Sequence, residues 1–194
     1  MKKDIILAGV GGQGILSIAT VIGAAALEQN LYLKQAEVHG MSQRGGDVQS
    51  NLRLSSEPIH SDLIPKGGAD LIVSLEPMEA LRYLPYLSKE GWIITNTAPF
   101  VNIPNYPESE AIDLALKGAG NVIAVNADEI AKSILSPRSA NMVLLGATAA
   151  VLGILDPDKL RDGIRKVFSR KGEAIVETNI KAFDAGFPSA KNQH

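Results

Sequence analysis

Four glycines fall within six residues in Gly9-Val10-Gly11-Gly12-Gln13-Gly14, directly after the apolar run 5–8. Glycine admits positive φ and lets backbone N–H groups close on an anion with no Cβ between them. An apolar helical pattern begins at Ile15, so the order is strand, glycine turn, helix. That order lays a phosphate against the first turn of a helix. The spacing Gly9-x-Gly11-x-x-Gly14 matches the dinucleotide fingerprint. Glu37, near the end of the next strand-like run, stands where a carboxylate would complete an NAD site. The plain alternative is a tight strand–helix turn that binds nothing.

A second segment, Ser42-Gln43-Arg44-Gly45-Gly46, puts an arginine beside a hydroxyl, an amide and two glycines. Arg44 can fork onto phosphate or carboxylate, and the glycines allow close backbone approach. The segment follows the second strand, which points it to the carboxyl edge of the sheet, where open α/β sheets bind ligands. A solvated surface connection is the alternative. His39 is a candidate proton carrier or a satisfied structural donor. His60 reads as a surface residue. Arg138 could meet an anion or a partner carboxylate, Ser139 reads as an N-cap, and Asn141 starts the same helix.

Several chemistries are excluded by what is missing. The chain contains no cysteine, so it offers no thiolate nucleophile, disulfide or cysteine-ligated cluster. Its three histidines lack zinc-site spacing. Gly-x-Ser-x-Gly, the phosphate-loop lysine motif and His-Glu-x-x-His are absent. So is Gly-Asp-Gly, the start of the usual thiamine diphosphate and magnesium motif.

The elements that must position these residues alternate in type. Strand patterns lie at 5–8, 31–38, 48–54, 70–75, 92–96 and 122–125, and 59–64 is expected to return antiparallel. In 48–54 the period of two predicts one polar face. Helical patterns lie at 15–29, from Glu76 with Pro77 in its first turn to about Leu84, from Asn126 or Ala127 to Leu135, at 139–152, from Asp156 through Phe168, and at 172–185. Residues 99–107, with three prolines, must be loop. Gly23 in the first helix predicts a close packing contact. Gly146, Ala147, Ala149, Ala150 and Gly153 suit close packing inside the domain or against another chain. The expectation is an α/β, three-layer α/β/α Rossmann-like domain with a mostly parallel, partly mixed sheet. Residues 1–187 form one domain in this reading, and 188–194 a loose C-terminal tail.

At 194 residues, 45% hydrophobic and 21% charged, the chain suits one globular domain. Its net charge of −2, without a basic run, argues against nucleic acid. No apolar stretch reaches the roughly 18 residues of a membrane span. With no convincing signal peptide, a cytoplasmic address is expected.

The glycine turn at 9–14, His39-Gly40-Met41-Ser42-Gln43-Arg44-Gly45-Gly46, and Ser139-Ala140-Asn141-Met142-Val143-Leu144-Leu145-Gly146-Ala147 together resemble the gamma-type subunit of 2-oxoacid:ferredoxin oxidoreductases. The second motif is most similar to the beta (small) subunit of indolepyruvate ferredoxin oxidoreductase. The likeness spans about 3–187 and implies a subunit that is inactive alone. Thiamine diphosphate, magnesium and iron–sulfur clusters are then expected on a large catalytic partner, with ferredoxin as electron acceptor and no metal in this chain. Coenzyme A would lie at a cleft lined by Gly9, Gly11, Gly12, Gln13, Gly14, Ser42, Gln43, Arg44, Gly45 and Gly46. Isolated, the chain could self-associate through the surface meant for its partner. The rivals are a stand-alone NAD(P)-dependent oxidoreductase and a non-catalytic nucleotide-binding or assembly module.

Overall fold

The computed structural model describes residues 1–39 and 46–191, with His39 and Lys191 described by backbone alone. The expectations for Ser42, Gln43, Arg44 and Gly45, and for His39 as a proton carrier, therefore lie outside the described residues. In chain order the elements are β1 (Lys2–Val10), α1 (Ile15–Glu28), β2 (Tyr32–His39), β3 (Asp47–Ser55), β4 (Ala69–Ser74), α2 (Pro77–Arg82), β5 (Leu87–Asn96), α3 (Ser109–Lys117), β6 (Asn121–Val125), α4 (Ala127–Ser133), α5 (Ala140–Leu152), α6 (Pro157–Phe168) and α7 (Glu173–Lys191).

One six-stranded sheet runs β2-β3-β1-β4-β5-β6. Strands β1, β4, β5 and β6 are mutually parallel, and β3 is antiparallel to both β1 and β2. The sheet is thus mixed, as expected, but for a different reason. Residues 59–64 are not a strand. The carbonyls of Ser61 and Leu63, which a ladder would have used, instead accept from Arg53 Nη1 at 2.9 and 3.0 Å. Arg53 also forks onto Asp4, with Nε to Oδ1 at 2.8 Å and Nη2 to Oδ2 at 3.0 Å. Both side chains are buried. The polar face expected of β3 exists, yet it is covered: Asn51 accepts from the Ile64 N–H, and Ile64 packs into the apolar cluster of Ile6, Ile72, Ala80 and Ile93.

Helices cover both faces of the sheet. On one face α2 packs on β1, β4 and β5, with α3 beside it. On the other, α1 and α5 lie against the strands, and α6 and α7 pack over them from outside. This double thickness explains why α5 is apolar all round: it sits between the sheet and α7. The approach is close because glycines face each other's helix. A Cβ on Gly146 would fall on the Phe183 carbonyl, and one on Gly186 on the Val143 carbonyl. Gly146 thus serves packing within the domain, whereas Gly153, exposed with φ of 71°, ends the helix. Gly23 has the contact anticipated for it, since a Cβ there would sit 3.2 Å from Leu33 Cδ2. Residues 188–191, expected in a loose tail, instead continue α7 through Pro188, and Ala190 is buried; the rest of that expectation lies outside the described residues. Helix α3 had no forecast; its short, weakly apolar segment follows the proline-rich loop directly.

The exposed Lys2 ammonium also meets Asp4, at 2.8 Å, but removing Arg53 strips this buried carboxylate of its bidentate partner, and removing Asp4 leaves the Arg53 guanidinium without a counter-charge. Arg53→Ala should lower the free energy of unfolding by about 3–5 kcal/mol. A paired Asp4→Leu/Arg53→Met replacement should cost distinctly less. Chemical denaturation of the three proteins checks this, and equal losses would contradict it.

Candidate functional site

The chain crosses to opposite sides of β1 at the carboxyl edge of the sheet, toward β2 on one side and β4 on the other. Such switch points open a crevice there. The glycine turn fills its floor. Gly12 and Gly14 have φ of 103° and 83°, in the left-handed region that glycine tolerates. Gly12 is exposed, and nothing lies within 4 Å of where its Cβ would be. Gly14 caps α1 with no side-chain bond, and the first turn of α1 carries no acidic residue. The Ser17 N–H turns back onto the Gly14 carbonyl at 3.1 Å, and the other N–H groups of this turn stand without a side-chain cap at the positive end of the α1 dipole.

The other predicted turn residues build this shape. Gln13 Oε1 accepts from the Val10 N–H at 2.7 Å, and Nε2 donates to the Leu75 carbonyl at 3.2 Å. Both ends of that amide are engaged inside the turn. Gly9 is required by the same staple, because a Cβ there would stand 3.0 Å from Gln13 Oε1. The Gly11 N–H donates to the Gly46 carbonyl at 2.8 Å. The end of the second glycine segment is thereby brought directly onto the first.

Across the crevice, α5 begins. Asn141 Nδ2 donates to the Gly14 carbonyl at 3.2 Å. Gly14 must lack a Cβ for this to happen, since one would lie 2.7 Å from that nitrogen. Ser139 holds the N-cap position without capping; its hydroxyl pairs with Ser136 at 2.7 Å and meets Asn179 at 3.5 Å. Between turn and helix lies a cavity of about 430 Å³ lined by Gly12, Gln13, Asn96, Asp128, Arg138 and Asn141, among others. That size is in the range of small-molecule sites.

Two contributors were not foreseen. Asn96, buried at the end of β5, accepts from the Ala127 N–H at 3.0 Å and donates to Asp128 Oδ2 at 2.6 Å. It fixes Asp128 at the cavity. A polar residue closing the apolar run 92–96 was the available signal. Glu76, fully buried, caps α2 through the Glu79 N–H at 2.8 Å and accepts from the Phe100 N–H and the Tyr106 hydroxyl. It ties down the proline-rich loop at the same edge. Burial first, and then the bond to Glu76, push the Tyr106 phenol above its ordinary pKa.

Glu37 does not complete an NAD site. It pairs with Ser50 of β3, which in turn pairs with Leu7 of β1, so one whole strand separates it from the glycine turn's strand. At about 4.8 Å per strand it lies roughly 10 Å across the sheet from the glycine turn's strand, twice the spacing of adjacent strands. Among the described residues no group of three or more histidine or acidic side chains could hold a metal ion, and no helix is long and apolar enough to cross a membrane.

Residues 4–189 match the family model described as pyruvate ferredoxin/flavodoxin oxidoreductase. The chain is 37% identical over 198 residues to the indolepyruvate oxidoreductase subunit IorB of Methanothermobacter thermautotrophicus, with 98% of each covered. It is 37% identical over 201 residues to the subunit of the same name from Pyrococcus horikoshii, again with 98% of each covered. In fold it is similar to pyruvate oxidoreductase subunit PORC of Thermotoga maritima, with a TM-score of 0.75, 22% identity and 96% of each chain covered. It is also similar to a 2-oxoglutarate:ferredoxin oxidoreductase from Magnetococcus marinus, with a TM-score of 0.77 and 23% identity. That match covers all of this chain and 32% of that one, whose structure has 2-oxoglutarate, coenzyme A and succinyl-CoA bound.

Gly14→Ala should destabilise the chain by about 1–3 kcal/mol, through positive φ and through collision with Asn141. In an Asn141→Ala background the same change should cost measurably less, because the collision is gone. Denaturant midpoints of the four proteins in this cycle check the coupling, and strict additivity would contradict the geometry.

Proposed function

The chain belongs to the pyruvate ferredoxin/flavodoxin oxidoreductase family, and from that premise we propose that it is the small subunit of a 2-oxoacid:ferredoxin oxidoreductase serving indolepyruvate or another aryl pyruvate. The observation that carries this reading is identity along the full length of two indolepyruvate oxidoreductase subunits. The overall reaction releases the substrate carboxylate as carbon dioxide. It passes two electrons to oxidised ferredoxin and joins the acyl group to the thiol of coenzyme A, with loss of a proton. Thiamine diphosphate, magnesium and the iron–sulfur clusters belong to a large partner subunit in this reading, since a chain without cysteine supplies no thiolate for a cluster. The complex would work in the cytoplasm.

The residues of the cleft fit coenzyme A. When bound, coenzyme A supplies the thiol that accepts the acyl group, and it also carries phosphates. Gly12 leaves open space for close approach, and the uncapped first turn of α1 offers N–H donors with no carboxylate beside them. Arg138 adds a cation at the same cavity. Asp128, which lines it too, repels phosphate and suits a hydroxyl or amide N–H. Ser42, Gln43, Arg44, Gly45 and Gly46 belong to the cradle in this reading, which the bond from the Gly11 N–H to the Gly46 carbonyl supports. Gly9 supports the cradle through the staple, and Gln13, which forms the staple, also lines the cavity.

Co-expression with a cysteine-rich candidate large subunit, followed by anaerobic purification, tests the reading. The folded pair should reduce ferredoxin or viologen when given indolepyruvate or phenylpyruvate with coenzyme A. Its kcat/KM for these should exceed that for pyruvate or 2-oxoglutarate by at least about tenfold. A cluster-loaded pair with no 2-oxoacid-dependent reduction would overturn the function. A preference for small 2-oxoacids would overturn the substrate class alone.

A further inference from the structure

Helix α4 ends in a Schellman motif. The Ser136 N–H donates to the Ala131 carbonyl at 2.8 Å, and the Leu135 N–H to the Lys132 carbonyl at 2.9 Å. The motif needs its penultimate residue in the left-handed region, and Leu135 has φ of 60°. Glycine or asparagine is favoured there. Helix α1 ends in the same two-bond pattern with Asn30 in the equivalent place, at φ of 55°. Helix α5 uses Gly153. Only α4, among the described residues, puts a branched apolar side chain in this strained position. Leu135 is moreover 92% exposed, more than any other large hydrophobic residue described. Backbone preference and solvation both disfavour this leucine, and nothing within the described fold uses its side chain. Such double violations concentrate where a surface meets something else.

The surroundings say what that something is. Leu135 borders a cavity of about 480 Å³ whose lining includes Arg138, Lys171, Phe168 and the half-exposed Ile175, and no carboxylate. Arg138 and Lys171 are exposed, and neither forms an ion pair with a described carboxylate. Lys171 Nζ lies 5.3 Å above the Phe168 ring instead. An apolar knob and pit flanked by two open cations complement an apolar segment flanked by acids. This cavity also shares Pro137, Arg138 and Asn141 with the cleft beside the glycine turn. Whatever covers Leu135 therefore closes that cleft from the side.

We infer that the Leu135–Arg138–Lys171 surface is the docking site for a segment of the large partner subunit in which an apolar side chain is flanked by carboxylates. The inference rests on the subunit reading above and adds the surface and its chemistry. Docking buries Leu135 and pairs the two cations. It also places a partner wall against the acyl-acceptor cleft, so assembly and completion of the site are one event.

The test uses the assembled complex. A tagged large subunit is co-expressed with equal doses of the unaltered small chain and one variant. The variant's share in the purified complex is compared with its share of the soluble pool by mass spectrometry. Leu135→Asp and the double change Arg138→Glu/Lys171→Glu should be depleted from the complex at least about tenfold, as for a central interface residue. Leu135→Gly relaxes the cap while deleting the side chain. Its soluble level should equal or exceed that of the unaltered chain, yet its incorporation should fall several-fold. This variant decides the matter if Leu135→Asp proves insoluble. Equal incorporation of the soluble variants would overturn the inference and leave the subunit reading standing. So would an effect confined to self-association of the small chain, or to binding of benzoate or inorganic phosphate. Failure of the unaltered chain to enter any complex would overturn the subunit reading, and this inference with it.

Discussion

An antiparallel strand, β3, lies between β1 and β2 where an ordinary dinucleotide fold would place two parallel strands side by side. The fork of Arg53 onto Asp4 pins β3 to β1 in one register, because a slip by one residue would turn Arg53 to the other face of the sheet and break the fork. Two consequences reach the site. Glu37 is carried one strand away from the glycine turn, which removes the carboxylate an NAD ribose would need. The same register sets Asp47 opposite Val10 and so brings Gly46 onto Gly11. One buried ion pair thus helps decide which ligand the turn can serve.

The opposite wall of the cleft depends on packing rather than charge. Helix α5 lies tightly against α7 through Gly146 and Gly186 and is buried along most of its length. Interiors packed at this density do not let a helix drift. The amino end of α5 is therefore fixed relative to the sheet, and Asn141 can reach the Gly14 carbonyl. The turn is held from both sides, by Gln13 against Leu75 and by Asn141 against Gly14. A rigid turn keeps its N–H groups aimed without spending ligand affinity on ordering them.

Much of this was legible in the residues. Strand, glycine turn and helix at 5–29 follow from local pattern, and Glu76-Pro77 marks the start of α2 by local capping chemistry. The late helices follow from apolar period. The misreadings came from long-range partners. The run 59–64 looks like a strand until Arg53 takes its carbonyls. Ser139 looks like a cap until Ser136 takes its hydroxyl. Asn96 and Asp128 are 32 residues apart in sequence, and nothing local in either announces the other. Gln13 lines the cavity as expected of the glycine turn, and its amide also staples that turn to Leu75, a partner 62 residues away that nothing local announces. The strain at Leu135 is invisible in sequence because it belongs to φ.

On the proposed function the glycine turn holds coenzyme A in a cleft completed by another subunit. Backbone amide hydrogen exchange across residues 11–17 measures it directly, with and without coenzyme A, in the isolated chain and in the assembled complex. Exchange in this segment should slow when coenzyme A is added to the complex and change little in the isolated chain. Unchanged exchange there in a complex that binds coenzyme A would contradict it, as would equal protection of the isolated chain by NADH.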